Sequence, residues 1–167
     1  MSDIQDRPQI GVSACLAKQA VRFDGCFIAN KFVNDECTSF FDIHTVCPEV
    51  EMGLGVPRQV IQLRDFEGEI KLVYSKDPDR QITDSMREFS ERRLKSLPQL
   101  DGYIFKKDSP SCGVFNVPVK NNKSGMRKRN GIGIFAQAFK DKYPQVPTED
   151  EGRLNDKPIR ENFLERV

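Results

Sequence analysis

The spacing of apolar and polar positions divides the chain into short strands and amphipathic helices. Residues 9–15 (QIGVSAC) place Ile10 and Val12 on a strand that runs into a loop of small residues. Residues 31–44 fit a helix loosely, with Phe32, Val33, Phe40, Phe41 and Ile43 toward one face, and HTVCPEV then resumes a strand that Pro48 ends. QVIQLR and IKLVYS flank residues 65–69 with a glycine in the connection, so a hairpin or two short strands are expected there as a side feature. Residues 84–97 surround Met86, Phe89, Leu94 and Leu97 with charge, the pattern of an amphipathic helix stopped by Pro98. A strand over 102–105 follows. Ile132, Phe135, Ala136 and Phe139 then recur at helical spacing within 132–143, Pro144 ends that helix, and QVPTE is a last extended piece.

Strand alternating with helix is the pattern of right-handed crossovers. It predicts an α/β fold with a small, mostly parallel sheet of Rossmann-like type. In open α/β sheets ligands sit beyond the carboxyl ends of the strands. Cys15, Cys47 and Cys112 each follow a predicted strand, so three loops are able to converge on one site there; Cys26 and Cys37 do not share that placement. The 167 residues allow one compact core, and residues 1–167 are read as a single domain. RENFLERV starts an amphipathic helix at the very end, a pattern that fits either a complete chain or the N-terminal part of a longer protein.

Charge adds little as a total, because 26 basic side chains face 25 acidic ones. Its distribution adds more. KNNKSGMRKRNG carries Lys120, Lys123, Arg127, Lys128 and Arg129 without a single acid, and is expected to be a flexible basic loop, either simply solvated or able to reach the phosphates of an RNA such as tRNA. No apolar run is long enough for a bilayer and MSDIQDRPQ lacks the apolar core of a signal peptide, so a cytoplasmic protein without membrane contact is expected. Nothing in the pattern fixes an oligomeric state.

In a reducing compartment the five cysteines are expected to stay free, leaving metal binding, thiol chemistry or plain burial. Thiolates suit iron-sulfur clusters, zinc and copper, and three of them leave one corner of a cubane cluster open. His44, the one histidine, lies near Cys47, yet zinc ligands usually come in close CxxC-type pairs and the chain has none. His44, Cys26 and Cys37 are therefore read as structural.

Three blocks are more specific than the count: SACLAKQAVRFDG, CPEVEMGLGVPR and DGYIFKKDSPSCG. They resemble the thiouracil desulfidase family, formerly a domain of unknown function, whose members hold a 4Fe-4S cluster through three cysteines. The resemblance implies Cys15, Cys47 and Cys112 as cluster ligands with one open iron, Glu49 of CPE as the catalytic carboxylate and Ser109 of SPSCG as the catalytic hydroxyl. It implies a small thiopyrimidine substrate, thiouracil or thiouridine, converted without redox change to uracil or uridine and hydrogen sulfide. Phe23 departs from the tyrosine expected in VRYDG. Ser111 and Ser13 are expected to donate to cluster sulfur, and Arg22, Asp24 and Arg58 to build the loop or touch substrate. Blander roles stay open: Glu49 as a helix cap or partner of Arg58, Ser109 as the start of a turn. Two other readings compete, a metal-stabilised RNA-binding module without catalysis and a metal-free thiol enzyme using Cys112 alone.

Overall fold

In the computed structural model, which describes residues 6–167, the apolar stretches pair into two sheets. The reading of the N-terminus as leaderless rests partly on residues 1–5, outside the described residues. In chain order the elements are β1 (Gln9–Ser13), a π-type turn (Phe32–Cys37) running into α1 (Thr38–Phe40), β2 (Asp42–Val46), α2 (Pro48–Glu51), β3 (Ile61–Phe66), β4 (Glu69–Tyr74), β5 (Asp77–Gln81), α3 (Thr83–Ser96), β6 (Gly102–Phe105), β7 (Val117–Asn121), β8 (Arg127–Gly131), α4 (Ile134–Lys142), β9 (Thr148–Asp150) and α5 (Lys157–Arg166).

The first sheet has the order β2-β1-β6-β9 with every pair parallel, the small α/β sheet expected from the alternation of strand and helix. From β1 the chain goes to one side for β2 and to the other for β6. Strand order therefore reverses between β1 and β6, where an open sheet leaves a crevice at its carboxyl ends.

The second sheet, β5-β4-β3-β7-β8, is antiparallel except for the β3–β7 pair. The hairpin expected as a side feature is thus part of a sheet larger than the first. The segment expected to be a flexible basic loop is its other part: Lys120 lies in β7, Arg127, Lys128 and Arg129 in β8, and Lys123 in the connecting turn. No alternation marks β8, since RKRNG has no apolar residue; pairing with β7, itself paired to β3, makes it a strand.

The helix expected over 31–44 also changes. It ends at Phe40, and Asp42–Val46 is drawn into a parallel ladder with β1. His44 therefore sits on a strand, with its Nε2 2.6 Å from Gln9 Oε1.

Side chains of β6 alternate between two cores, as the two-residue period requires. Tyr103 and Phe105 stack at 4.0 Å and meet Phe135 and Phe139 of α4, with Leu63 and Leu72 of the second sheet in the same core. Ile104 joins Ile10, Val12, Phe32, Val33, Leu154 and Phe163 on the other side. Gly11 makes the first core possible, because a Cβ there would lie 2.3 Å from the Tyr103 ring. Among the described residues no helix is long and apolar enough to cross a membrane.

The Tyr103 hydroxyl is, among the described residues, the buried side-chain polar atom without a hydrogen-bond partner. Burial pushes its phenol well above the ordinary range, and the nearby Cys112 adds to this. Tyr103→Phe keeps the packing and removes the unpaired group, so stability in urea is expected to stay level or rise by up to about 1 kcal/mol. The folded-state pKa lies above the unfolded value, so the contribution of the neutral phenol is full below about pH 10 and is lost as pH rises through the folded value. Wild type should accordingly lose more stability than Tyr103→Phe above about pH 10. The Cys37 thiol, pushed up to about 12 by burial, acts in the same direction in both proteins.

Candidate active site

Three loops at the carboxyl ends of β1, β2 and β6 enclose a cavity of about 430 Å³. Each presents one cysteine. Cys15 lies in a one-turn 3-10 segment (Ala14–Leu16) directly after β1, and its carbonyl accepts a hydrogen bond from Ile28 N at 2.9 Å. Cys47 is the first residue after β2 and caps α2. Its amide donates to Glu51 Oε2 at 2.7 Å, and Arg93 of α3 holds the other oxygen of that carboxylate at 2.7 Å. A side chain one turn on that reaches back to the cap amide is a recurrent helix-start device, and here it fixes the backbone of the cysteine.

Cys112 follows β6 in the turn SPSCG, which is seated on the start of α4. Ile134 N donates to Pro110 O at 3.1 Å and Phe135 N to Ser111 O at 2.9 Å, so helix-terminal amides and loop carbonyls satisfy one another. Gly133 allows the approach, since a Cβ there would lie 2.5 Å from the Ser111 carbonyl. The β1 and β6 loops are tied by Lys106 N donating to Ser13 Oγ at 2.9 Å.

Cys15, Cys47, Cys112, Glu49 and Ser109 all line this cavity. Cys26 does not and is exposed; Cys37 is buried in the second core with Phe32 and Phe163. Among the described residues no three His, Cys, Asp or Glu side chains converge tightly enough to hold a single metal ion. The three cysteines nonetheless share the wall of one cavity. Burial pushes the Cys15 thiol up to about 11, with Lys106 opposing, and raises Cys112 and Cys47 as well. Burial thus favours the protonated thiol at each position, and a metal group that binds them must displace protons.

Glu49 is held on both oxygens. Arg58 Nε donates to Oε1 at 3.0 Å and Ser111 Oγ to Oε2 at 2.7 Å. Only 5% of the Arg58 side chain and 14% of the Glu49 side chain are exposed, so little water screens the pair. Ser109 Oγ accepts from Cys112 N at 3.0 Å and lies 3.1 Å from Ser111 Oγ. Both blander roles are thus present, the partnership of Glu49 with Arg58 and the turn at Ser109, in residues that also face the cavity.

The Ser111 hydroxyl lies 2.7 Å from Glu49 Oε2 and within sulfur hydrogen-bond reach of Cys112 Sγ at 3.9 Å, and the Ser13 side chain also bonds Cys112, so both serines stand where donors to that sulfur were expected. Arg58 pairs with Glu49, while Glu51 pairs with Arg93 across some forty residues of sequence, which no local spacing signals. Arg22 also lines the cavity, as do Lys106 and Lys107, whose proximity follows from the neighbouring SPSCG block. The arrangement sets soft sulfur donors beside a carboxylate held in one orientation and two hydroxyls.

The sequence model of the 2-thiouracil desulfurase family matches residues 10–151. Among solved structures, that of a 4Fe-4S-dependent thiouracil desulfidase, TudS, superposes with a TM-score of 0.67 at 24% identity, covering 93% of this chain and 99% of that one. A comparison with curated proteins gives no match.

Proposed function

Since the chain belongs to the 2-thiouracil desulfurase family, we propose that residues 1–167 form one desulfidase unit that converts a thiopyrimidine and water to the oxo-pyrimidine and hydrogen sulfide without redox change. The observation that carries this reading is the convergence of three strand-end cysteines, Glu49 and Ser109 on one cavity.

The residues suit an iron-sulfur cluster. Thiolates are its usual ligands, and a cluster attaches them to separate irons, so it does not require three donors to meet at one point. Cys15, Cys47 and Cys112 would hold a 4Fe-4S cluster and leave one iron open. Bound there, the cluster supplies a Lewis-acidic iron for the thiocarbonyl sulfur.

The chain's own groups do the rest. Glu49 keeps free lone pairs on both oxygens beyond its bonds to Arg58 and Ser111, enough to orient a water toward the thiocarbonyl carbon and take its proton. Ser109 donates to the ring or to the leaving sulfur. Arg58 and Ser111 prevent the carboxylate from turning away. With its five cysteines outside any disulfide, the protein suits the reducing cytoplasm. Anaerobic isolation followed by iron and sulfide analysis and a visible spectrum tests this reading. Iron and sulfide in equal amounts with a thiolate-to-iron absorption band support it; a protein that takes up zinc in a closed site, or no metal, contradicts it.

A second reading, thiouridine within tRNA as substrate, is favoured by the position of the basic hairpin. Arg129 of β8 binds Asp108 at 2.8 Å, and Asp108 lines the cavity, so Lys120, Arg127 and Lys128 share a hairpin that adjoins the site. Lys123 at the turn pairs with Glu67. With all five changed to glutamine, activity on thiouridine-containing tRNA should fall and lose its steep salt dependence, while activity on free thiouracil stays level. Equal behaviour of variant and wild type on tRNA across salt would reject the RNA contact.

A further inference from the structure

Most of the chain's large apolar side chains are packed into the two cores, and a small set remains exposed. Two of that set, Phe23 at 39% and Val60 at 48%, line the cavity. With Val21 and Ile61 they give it an apolar wall, whereas Glu49, Ser109 and Ser111 contribute polar groups. We propose that Phe23 is the stacking wall for the substrate ring and selects planar aromatic thiocarbonyl compounds. This deepens the desulfidase reading and rests on it.

The shape and chemistry of the two partners match. A thiopyrimidine has two apolar π faces and a polar rim, and an aromatic side chain offers a face to such a ring whatever its substituents. Phe23 stands outside the ring clusters of the core, and the Arg22 guanidinium lies over its ring at 5.8 Å from the ring centre.

The ring is carried on a fixed turn. Gly25 N donates to Arg22 O at 2.9 Å and Arg22 N to Cys26 O at 3.2 Å, the turn closing through Gly25 at φ +79°. Cys26 N adds a bond to Asp24 Oδ1 at 3.0 Å. The turn is then tied to the catalytic machinery, because Phe23 O accepts from Arg58 N at 2.9 Å and the Arg58 side chain holds Glu49. Phe23 and Glu49 therefore take their positions from one residue. A wall placed in advance binds a flat ligand without the cost of ordering a loop. The missing tyrosine hydroxyl is no loss in this role, which uses the face of the ring.

The test compares cluster-loaded wild type, Phe23→Leu and Phe23→Tyr on 4-thiouracil and on its 5,6-dihydro analogue, whose ring is not aromatic. Phe23→Leu is expected to raise KM for 4-thiouracil about tenfold, the size of one base–aromatic stack, and to weaken competitive inhibition by uracil equally. Its kcat should stay within about twofold of wild type, and Phe23→Tyr should keep both constants. On the dihydro analogue wild type and Phe23→Leu should differ little. Unchanged KM and uracil inhibition in Phe23→Leu would overturn the proposal. So would a fall in kcat with cluster loss in both variants, which marks a structural role. Should wild type release no sulfide from thiouracil, the desulfidase reading fails; equilibrium dialysis of uracil against the same three proteins then decides the wall separately, weaker binding to Phe23→Leu alone supporting it and equal binding rejecting it.

Discussion

Cys15→Ala, Cys47→Ala and Cys112→Ala proteins, each isolated without oxygen, are expected to contain little iron and to release sulfide from thiouracil at least about 100-fold more slowly than wild type. Changes that only touch the surroundings of metal ligands already cost about 10–100-fold, and removing a ligand should cost more. Cys26→Ala and Cys37→Ala should keep wild-type iron content. The contrast follows from placement: three cysteines line one cavity at the strand ends, Cys26 is exposed beside it and Cys37 is buried in the opposite core. Cys37→Ala is expected to lower stability through the small void it leaves, with iron retained. A Cys26→Ala protein without iron beside a Cys112→Ala protein with it would reject the ligand assignment.

Glu49→Gln should load its cluster and lose about 10²–10⁴-fold in kcat, the range for removal of a general base. Glutamine keeps the shape of the side chain but has no charge to take a proton. The substitution also leaves the Arg58 guanidinium without its counter-ion in a site where only 5% of that side chain is exposed. A loss of stability of about 3 kcal/mol, read by urea unfolding, should therefore accompany the loss of rate. Ser109→Ala is expected to slow turnover by about tenfold, the value of one hydrogen bond to developing charge, with its spectrum unchanged. Turnover at the wild-type rate by both would remove the roles assigned to Glu49 and Ser109. Iron loss in both would assign them to the fold of the loops instead, since Ser109 Oγ also binds the Cys112 amide.

What could be read in advance followed how locally each feature is encoded. Cys15, Cys47 and Cys112 sit directly after or a short loop beyond apolar strands, so their convergence follows from the rule that parallel sheets gather loops at their carboxyl ends. The helices α3 and α4 were legible for a similar reason, each carrying apolar residues on one face and ending before a proline. β2 was harder. Phe40, Phe41 and Ile43 satisfy a helical spacing, and only the ladder with β1 makes Asp42–Val46 extended. β8 has no apolar residue at all and becomes a strand through β7, a pairing fixed by the tertiary fold. The contacts of Glu49 were legible in part. The family resemblance singles out Glu49 and its pairing with Arg58 was among the roles left open, while the bond from Ser111, which arrives from another loop, appears only when the chain is folded.

The desulfidase reading stands or falls on sulfide release from thiouracil by wild-type protein, comparing a sample loaded with iron and sulfide under anaerobic conditions with the same protein stripped of metal. The expected result is one uracil formed for each sulfide released, over many turnovers, by the loaded protein alone and with no added reductant or oxidant. Release at the same rate by the stripped protein, or no release by a loaded protein of full iron content, would contradict it.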